Sequence, residues 1–209
     1  MRSFLPMSEA RFKSAVQKFL PEHSIDYCYK LWTEHGFTFK IKNKRASKLG
    51  DYRYDPKRKL HIITVNNDLN PYSFLITYIH EVAHLVTFNE HKRSVKPHGT
   101  EWKNNFKKLM LPMMSNQIFP DQVLRKLAQY LKNPKASSCN DHQLMRALQE
   151  HDENRSGVSL SEISAGQLFK FRQRVFRKET LRRTRYICCE IKTQRKYLIS
   201  KVAEVEPVV

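Results

Sequence analysis

Apolar positions recur at helical spacing over roughly the first two-thirds of this chain and in alternation near its end. Residues 8–20 place Phe12, Ala15, Val16 and Phe19 on one stripe, a helix that Pro21 closes. A second helix is expected over residues 24–34, stopping at Gly36, because glycine accepts the left-handed conformation of a helix end. Phe37, Phe39 and Ile41 then alternate with Thr38, Lys40 and Lys42, which is a strand with one basic face. Residues 52–54 and 60–65 read as a hairpin joined by Asp55-Pro56-Lys57-Arg58. Asn70-Pro71 opens the next helix, with Asn as N-cap and Pro at the first helical position. Its apolar residues (Phe74, Leu75, Tyr78, Ile79, Val82, Ala83, Leu85, Val86) are nearly continuous, so this helix should be buried on most sides. Residues 100–110 carry Trp102, Phe106 and Leu109 as a core-facing stripe. Residues 121–131 form another helix that ends before Asn133-Pro134.

Residues 133–138 are polar and turn-rich, which marks a boundary or tether. A short helix follows over residues 141–150, with His142 and His151 expected to be exposed. From residue 158 the pattern becomes β. Phe169, Phe171 and Val175 alternate with Lys170, Arg172 and Arg174, and residues 185–192 and 197–205 supply two more strands. With turns around Glu179 and Thr193, this predicts a small antiparallel meander or partly closed barrel. Tyr186 and Phe176 fall on its basic face, where they either stack on bases or pack on the first unit. The expectation is an α+β chain: a first domain over residues 1–133, a linker with a short helix over 134–157, and a small basic antiparallel β-domain over 158–209.

The buried helix carries His80-Glu81-Val82-Ala83-His84. Residues four apart on a helix share a face about 6 Å apart, which lets two imidazoles meet one zinc ion. Glu81 projects one residue further round, where its carboxylate can take a proton from a metal-activated water. Two histidines and a glutamate in so apolar a helix cost several kcal/mol unless they are paired or metal-bound. A catalytic zinc needs a third protein ligand and an open position. His91, His98 and Glu101 are all in range, and spacing alone does not choose among them. His91 falls one residue late for the extended H-E-x-x-H-x-x-G-x-x-H motif, and Thr87 stands where that motif needs glycine. Glu101 fits a two-histidine, one-glutamate site, and His98 sits in a turn shaped by Pro97 and Gly99 just before a helix.

The H-E-V-A-H motif, the excursion of about a dozen residues, and the His98-Gly99-Thr100-Glu101-Trp102 return resemble the SprT-like metalloproteases, which include the Spartan DNA–protein crosslink proteases. The stretch Lys48-Leu49-Gly50-Asp51-Tyr52-Arg53-Tyr54 before the zinc helix is similar too, and the likeness covers about residues 5–130. The resemblance implies a small zincin domain, one catalytic zinc held by His80, His84 and His98, and peptide-bond hydrolysis near DNA. Many members of that family add a zinc ribbon with paired cysteines. Here the cysteines are Cys28, Cys139, Cys188 and Cys189, with no C-x-x-C pair, so a second, structural zinc is not implied.

Charge is the second clue. Lys and Arg total 38 against 20 Asp and Glu, a net +18 in 209 residues. The excess clusters at Lys40, Lys42, Lys44, Arg45 and Lys48, and again at Lys170, Arg172, Arg174, Arg177, Lys178, Arg182, Arg183 and Arg185. Arginine forks suit phosphate contacts, so nucleic acid is the expected partner, with Lys170, Arg172, Arg174, Arg182, Arg183 and Arg185 as backbone contacts. No apolar run approaches a membrane span, residues 1–6 lack a signal core, and four scattered cysteines do not make a secreted framework. A soluble cytoplasmic protein is expected, or a nucleoid or nuclear one if it sits on DNA.

These readings converge on a zinc metalloprotease in which Glu81 is the general base, acting on DNA-associated or DNA-crosslinked proteins. The alternative is a non-catalytic nucleic-acid-binding protein with a structural or vestigial zinc site.

Overall fold

The computed structural model describes residues 8–45, 48–135, 141–152 and 157–208, and it is of the α+β class. Residues 1–6 and 136–138, the expected unsignalled N-terminus and part of the expected tether, lie outside the described residues, as does Cys139. The chain divides into two compact units, Met1–His151 and Asp152–Val209.

In the first unit, α1 (Glu9–Val16) and α2 (Ile25–His35) precede a sheet of β1 (Thr38–Lys42), β2 (Gly50–Asp55) and β3 (Leu60–Asn66). Helix α1 stops four residues short of the expected end. Helix α2 terminates where Gly36 takes a φ of 56° and its N–H returns to the Trp32 carbonyl. Strand β3 is central, parallel to β1 and antiparallel to β2, in the order β1-β3-β2. The Asp55 side chain accepts from the N–H groups of Lys57 and Arg58 and so shapes the β2–β3 turn.

Helix α3 (Pro71–His91) runs for 21 residues through the middle of this unit. Asn70 caps it, accepting from Ser73 N–H at 2.9 Å, and donates its amide to the Leu148 carbonyl. Phe74, Leu75, Tyr78, Ile79, Val82, Ala83 and Leu85 are all fully buried, as the unbroken apolar run requires. Tyr78 O–H donates to the Cys28 carbonyl at 2.8 Å, fixing α3 to α2. The buried Thr77 and Thr87 hydroxyls return to carbonyls four residues back, so neither is left unsatisfied. Helix α4 (Thr100–Met110) buries Trp102, Phe106 and Met110 in the same core. Helices α5 (Asp121–Lys132) and α6 (His142–Gln149) complete the unit. Leu144, Ala147 and Leu148 of α6 join the core cluster. The segment read from sequence as linker therefore contains an integral helix, placed there by its own apolar stripe and the Asn70 bond.

The second unit is a six-stranded antiparallel sheet in the order β4-β9-β5-β6-β7-β8. Its strands are β4 (Val158–Ser159), β5 (Leu168–Phe171), β6 (Arg174–Arg182), β7 (Arg185–Glu190), β8 (Lys196–Ser200) and β9 (Glu204–Pro207). Leu160 N–H donates to the Ala203 carbonyl and Ser161 N–H to that of Lys201, so the chain after β4 is joined to the corner after β8. The core is Leu160, Ile163, Phe169, Phe176, Cys188, Ile199 and Val205.

Three expectations for this unit are corrected. Phe176 is 1% exposed and pairs with Phe169, whereas Val175 faces outward. The cause is a two-residue turn in which Arg172 and Gln173 both take positive φ, which resets the alternation by one residue. Tyr186 also packs against the core, its ring beneath the Lys178 ammonium at 3.8 Å. Glu179 lies within β6, where a bulge between Lys178 and Leu181 absorbs the irregularity, and the turn falls instead at Arg183-Thr184. No helix among the described residues is long and apolar enough to cross a membrane.

Candidate metal centre

His80 and His84 sit one turn apart on α3, and a loop returns His98 to meet them. The three Nε2 atoms form a triangle with sides of 3.2 Å (His80–His84), 2.9 Å (His84–His98) and 3.3 Å (His80–His98). Nitrogens bound to one tetrahedral ion at about 2.0–2.1 Å lie about 3.3–3.4 Å apart, so the triangle fits a single small divalent ion. His98 takes a φ of 58°, an uncommon conformation for a residue with a side chain, at the turn closed by Gly99 N–H to the Lys96 carbonyl.

The electrostatics suit ligation. Burial, reinforced by the neighbouring imidazoles, lowers His80 to about 2 and His84 to about 3; burial also lowers His98. All three rings are therefore neutral near pH 7 and can offer lone pairs to a cation. The other two candidate third ligands stand apart. His91 ends α3 beside Glu90 at 3.7 Å, and Glu101 lies in the first turn of α4 outside the triangle. His80, His84 and His98 form the metal-capable group among the described residues.

Trp102 walls the site. Its ring lies 4.6, 5.3 and 4.7 Å from the rings of His80, His84 and His98, and it stacks on Phe106 at 5.1 Å. The sequence stripe that marked Trp102 as core is correct, but the same indole also holds all three imidazoles.

Glu81 is 7% exposed and faces β2. The Tyr52 main-chain N–H donates to its carboxylate. Burial, with help from the Asp51 charge, pushes the Glu81 carboxyl up to about 8, close to where a group exchanging protons at neutral pH should titrate. Gly50 makes this approach possible, since a Cβ there would collide with both Glu81 and Thr77. The Tyr52 ring lies parallel to His84 at 6.4 Å, and its hydroxyl meets His61 Nδ1 at 2.9 Å. Gly50, Tyr52 and His61 had no assigned role from sequence. The strand expected from sequence begins at residue 52, so the close approach of Gly50, the first residue of β2, carries no signal there.

The expected nucleic-acid residues lie in the second unit. Lys170 faces Glu206 at 3.8 Å, the Arg172 guanidinium lies over the Phe171 ring, and Arg174 reaches Glu190 at 3.4 Å. Arg182, Arg183 and Arg185 stand exposed at the tip of the β6–β7 hairpin. Cys188 and Cys189 are buried free thiols.

Two helix-borne imidazoles, a third from a loop, and a carboxylate on the next residue give this α+β protein a site that could hold a metal ion, with a titratable group beside it. The chain belongs to the SprT-like family, whose model matches residues 12–121. That family is associated with metallopeptidase-like proteins, and the histidine cluster is compatible with a metal site of that kind. Comparison with curated proteins and with solved structures gives no match.

Proposed function

We propose that this protein is a zinc metalloprotease of the zincin type that hydrolyses peptide bonds in proteins associated with or crosslinked to DNA. The observation that carries the reading is the triangle of His80, His84 and His98 with Glu81 on the adjacent helix position.

His80, His84 and His98 would hold the ion, leaving one coordination position open toward substrate. A zinc ion so held supplies Lewis acidity, making water a nucleophile near neutral pH and polarising the scissile carbonyl. Glu81 accepts the proton of the attacking water and passes it to the leaving amine. The Tyr52 N–H orients that carboxylate, and its burial keeps bulk water from competing for the proton. Strand β2 lies at the edge of the three-stranded sheet beside Glu81, so an extended peptide can pair with it and present its scissile bond to the site. The net charge of +18 supports DNA as the place where substrates are met.

The test combines metal analysis with cleavage of a protein substrate, with and without DNA. One zinc per chain and chelator-sensitive cleavage, stimulated by DNA, are expected. One zinc with no proteolysis under any condition would instead identify a nucleic-acid-binding protein with a structural site.

A further inference from the structure

We infer that the tip of the β6–β7 hairpin is a phosphate clamp for the backbone of double-stranded nucleic acid. This rests on the nucleic-acid part of the proposed function and says where and how that contact is made.

Arg182 and Arg185 are directly opposed as the last cross-strand pair of the hairpin. Like charges in that relation repel and destabilise the pair. Arg183, in the turn between them, takes a φ of 57°, where tight hairpin turns normally place glycine, asparagine or aspartate. The Lys201 N–H donates to the Thr184 carbonyl at 3.2 Å, so a fourth cationic residue is tied to the same turn. Among the described residues no carboxylate forms an ion pair with any of these four.

Three other basic residues of the sheet are paired with carboxylates. Arg174 is held by Glu190 and lies over the rings of Phe176 and Tyr197, Lys170 faces Glu206, and Lys196 pairs with Glu179 at 3.1 Å. Internal carboxylates thus meet Lys170, Arg174 and Lys196, while repulsion between Arg182 and Arg185 at the tip is left for an external anion to relieve. Guanidinium forks engage phosphate oxygens in pairs. A duplex presents about one charge per 1.7 Å of axis, dense enough to meet several closely spaced arginines together. Among the described residues the unit offers no platform for unstacked bases: Phe169 and Phe176 are buried, and Phe171, Tyr186 and Tyr197 pack against the core. That favours a duplex backbone over a single strand, whose binding draws on base stacking. Leu181, 52% exposed beside the tip, gives it an apolar flank that an anionic membrane would also accept, so vesicles belong in the test.

The experiment titrates the full chain against a labelled short duplex, the matching single strand, and phosphatidylserine-rich vesicles at several salt concentrations. Replacing Arg182, Arg183 and Arg185 together by Gln should weaken duplex binding by about tenfold or more and lower the salt slope by about 2–3. Replacing Lys192 and Arg195 by Gln, in the turn at the other end of β7, should change duplex affinity by less than about twofold. The tip variant should melt no lower than wild type, because a repulsive pair has been removed. Equal losses in the two variants would mean diffuse attraction and overturn the proposal. So would unchanged duplex affinity in the tip variant, or tip-dependent binding that is tighter for single strands or confined to vesicles. Proteolysis does not enter this measurement, so its failure would leave the histidine site untouched, and failure of the peptidase reading would leave the clamp standing.

Discussion

Gly50 and Glu81 meet across the β2–α3 interface so closely that a Cβ on Gly50 would lie 2.7 Å from the Glu81 carboxylate oxygen and 2.6 Å from Cγ2 of Thr77. The strand that orients the carboxylate through the Tyr52 N–H can do so only because no side chain stands at Gly50. Gly50→Ala should push β2 and Glu81 apart. Overpacking of this kind costs about 1–3 kcal/mol in stability. Turnover should fall by at least about tenfold, because a misplaced base loses much of its about 10²–10⁴-fold contribution. Metal content, measured on the same sample, should stay near wild type. Unchanged turnover would show that Glu81 tolerates the displacement.

The histidine triangle makes a prediction about ligand choice. His98→Ala should lose the ion, with affinity falling by more than the about 10–100-fold that follows loss of an outer hydrogen-bond partner. His91→Ala and Glu101→Ala should bind as wild type, since neither side chain joins the triangle. Metal retention by zinc titration decides the matter. Loss of the ion in Glu101→Ala but not in His98→Ala would contradict the geometry.

Helix α3 and its motif were legible in the sequence because both depend on local rules. The Asn70 cap, the Pro71 start and the four-residue spacing of His80 and His84 need no knowledge of the rest of the chain. His98 was different. Its place depends on a turn with positive φ and on Trp102 packing against α3, neither of which spacing reveals. Gly50 and Tyr52 act on Glu81 across a strand–helix contact, so the sequence around the motif does not contain them. The outward and inward faces of β6 differ from those the alternation predicts because one two-residue turn sets the phase for the whole strand, and a slip of one residue exchanges the faces.

Burial of Glu81 also predicts a pH-dependent cost to folding. Its folded carboxyl titrates near 8, well above the ordinary 4.5, so the folded protein holds this proton more tightly than the unfolded chain. Stability from this group is therefore complete below about pH 4.5 and is lost as pH rises toward 8. In chelator-stripped protein, Glu81→Gln should have little effect at the acid end. Above pH 8 it should raise stability, by an amount on the order of a few kcal/mol. Melting curves across this range check the slope. A variant that is less stable than wild type at high pH would mean that the carboxylate is well solvated or paired in the folded state.

The most direct test of the whole account is cleavage of a DNA-bound protein by wild type and Glu81→Gln side by side, with zinc content measured in both. Equal zinc in the two proteins is expected, with cleavage by wild type and a loss of about 10²–10⁴-fold in the variant. Equal cleavage by the two would remove Glu81 from the chemistry, and equal zinc with cleavage by neither would mean that the histidine site is structural.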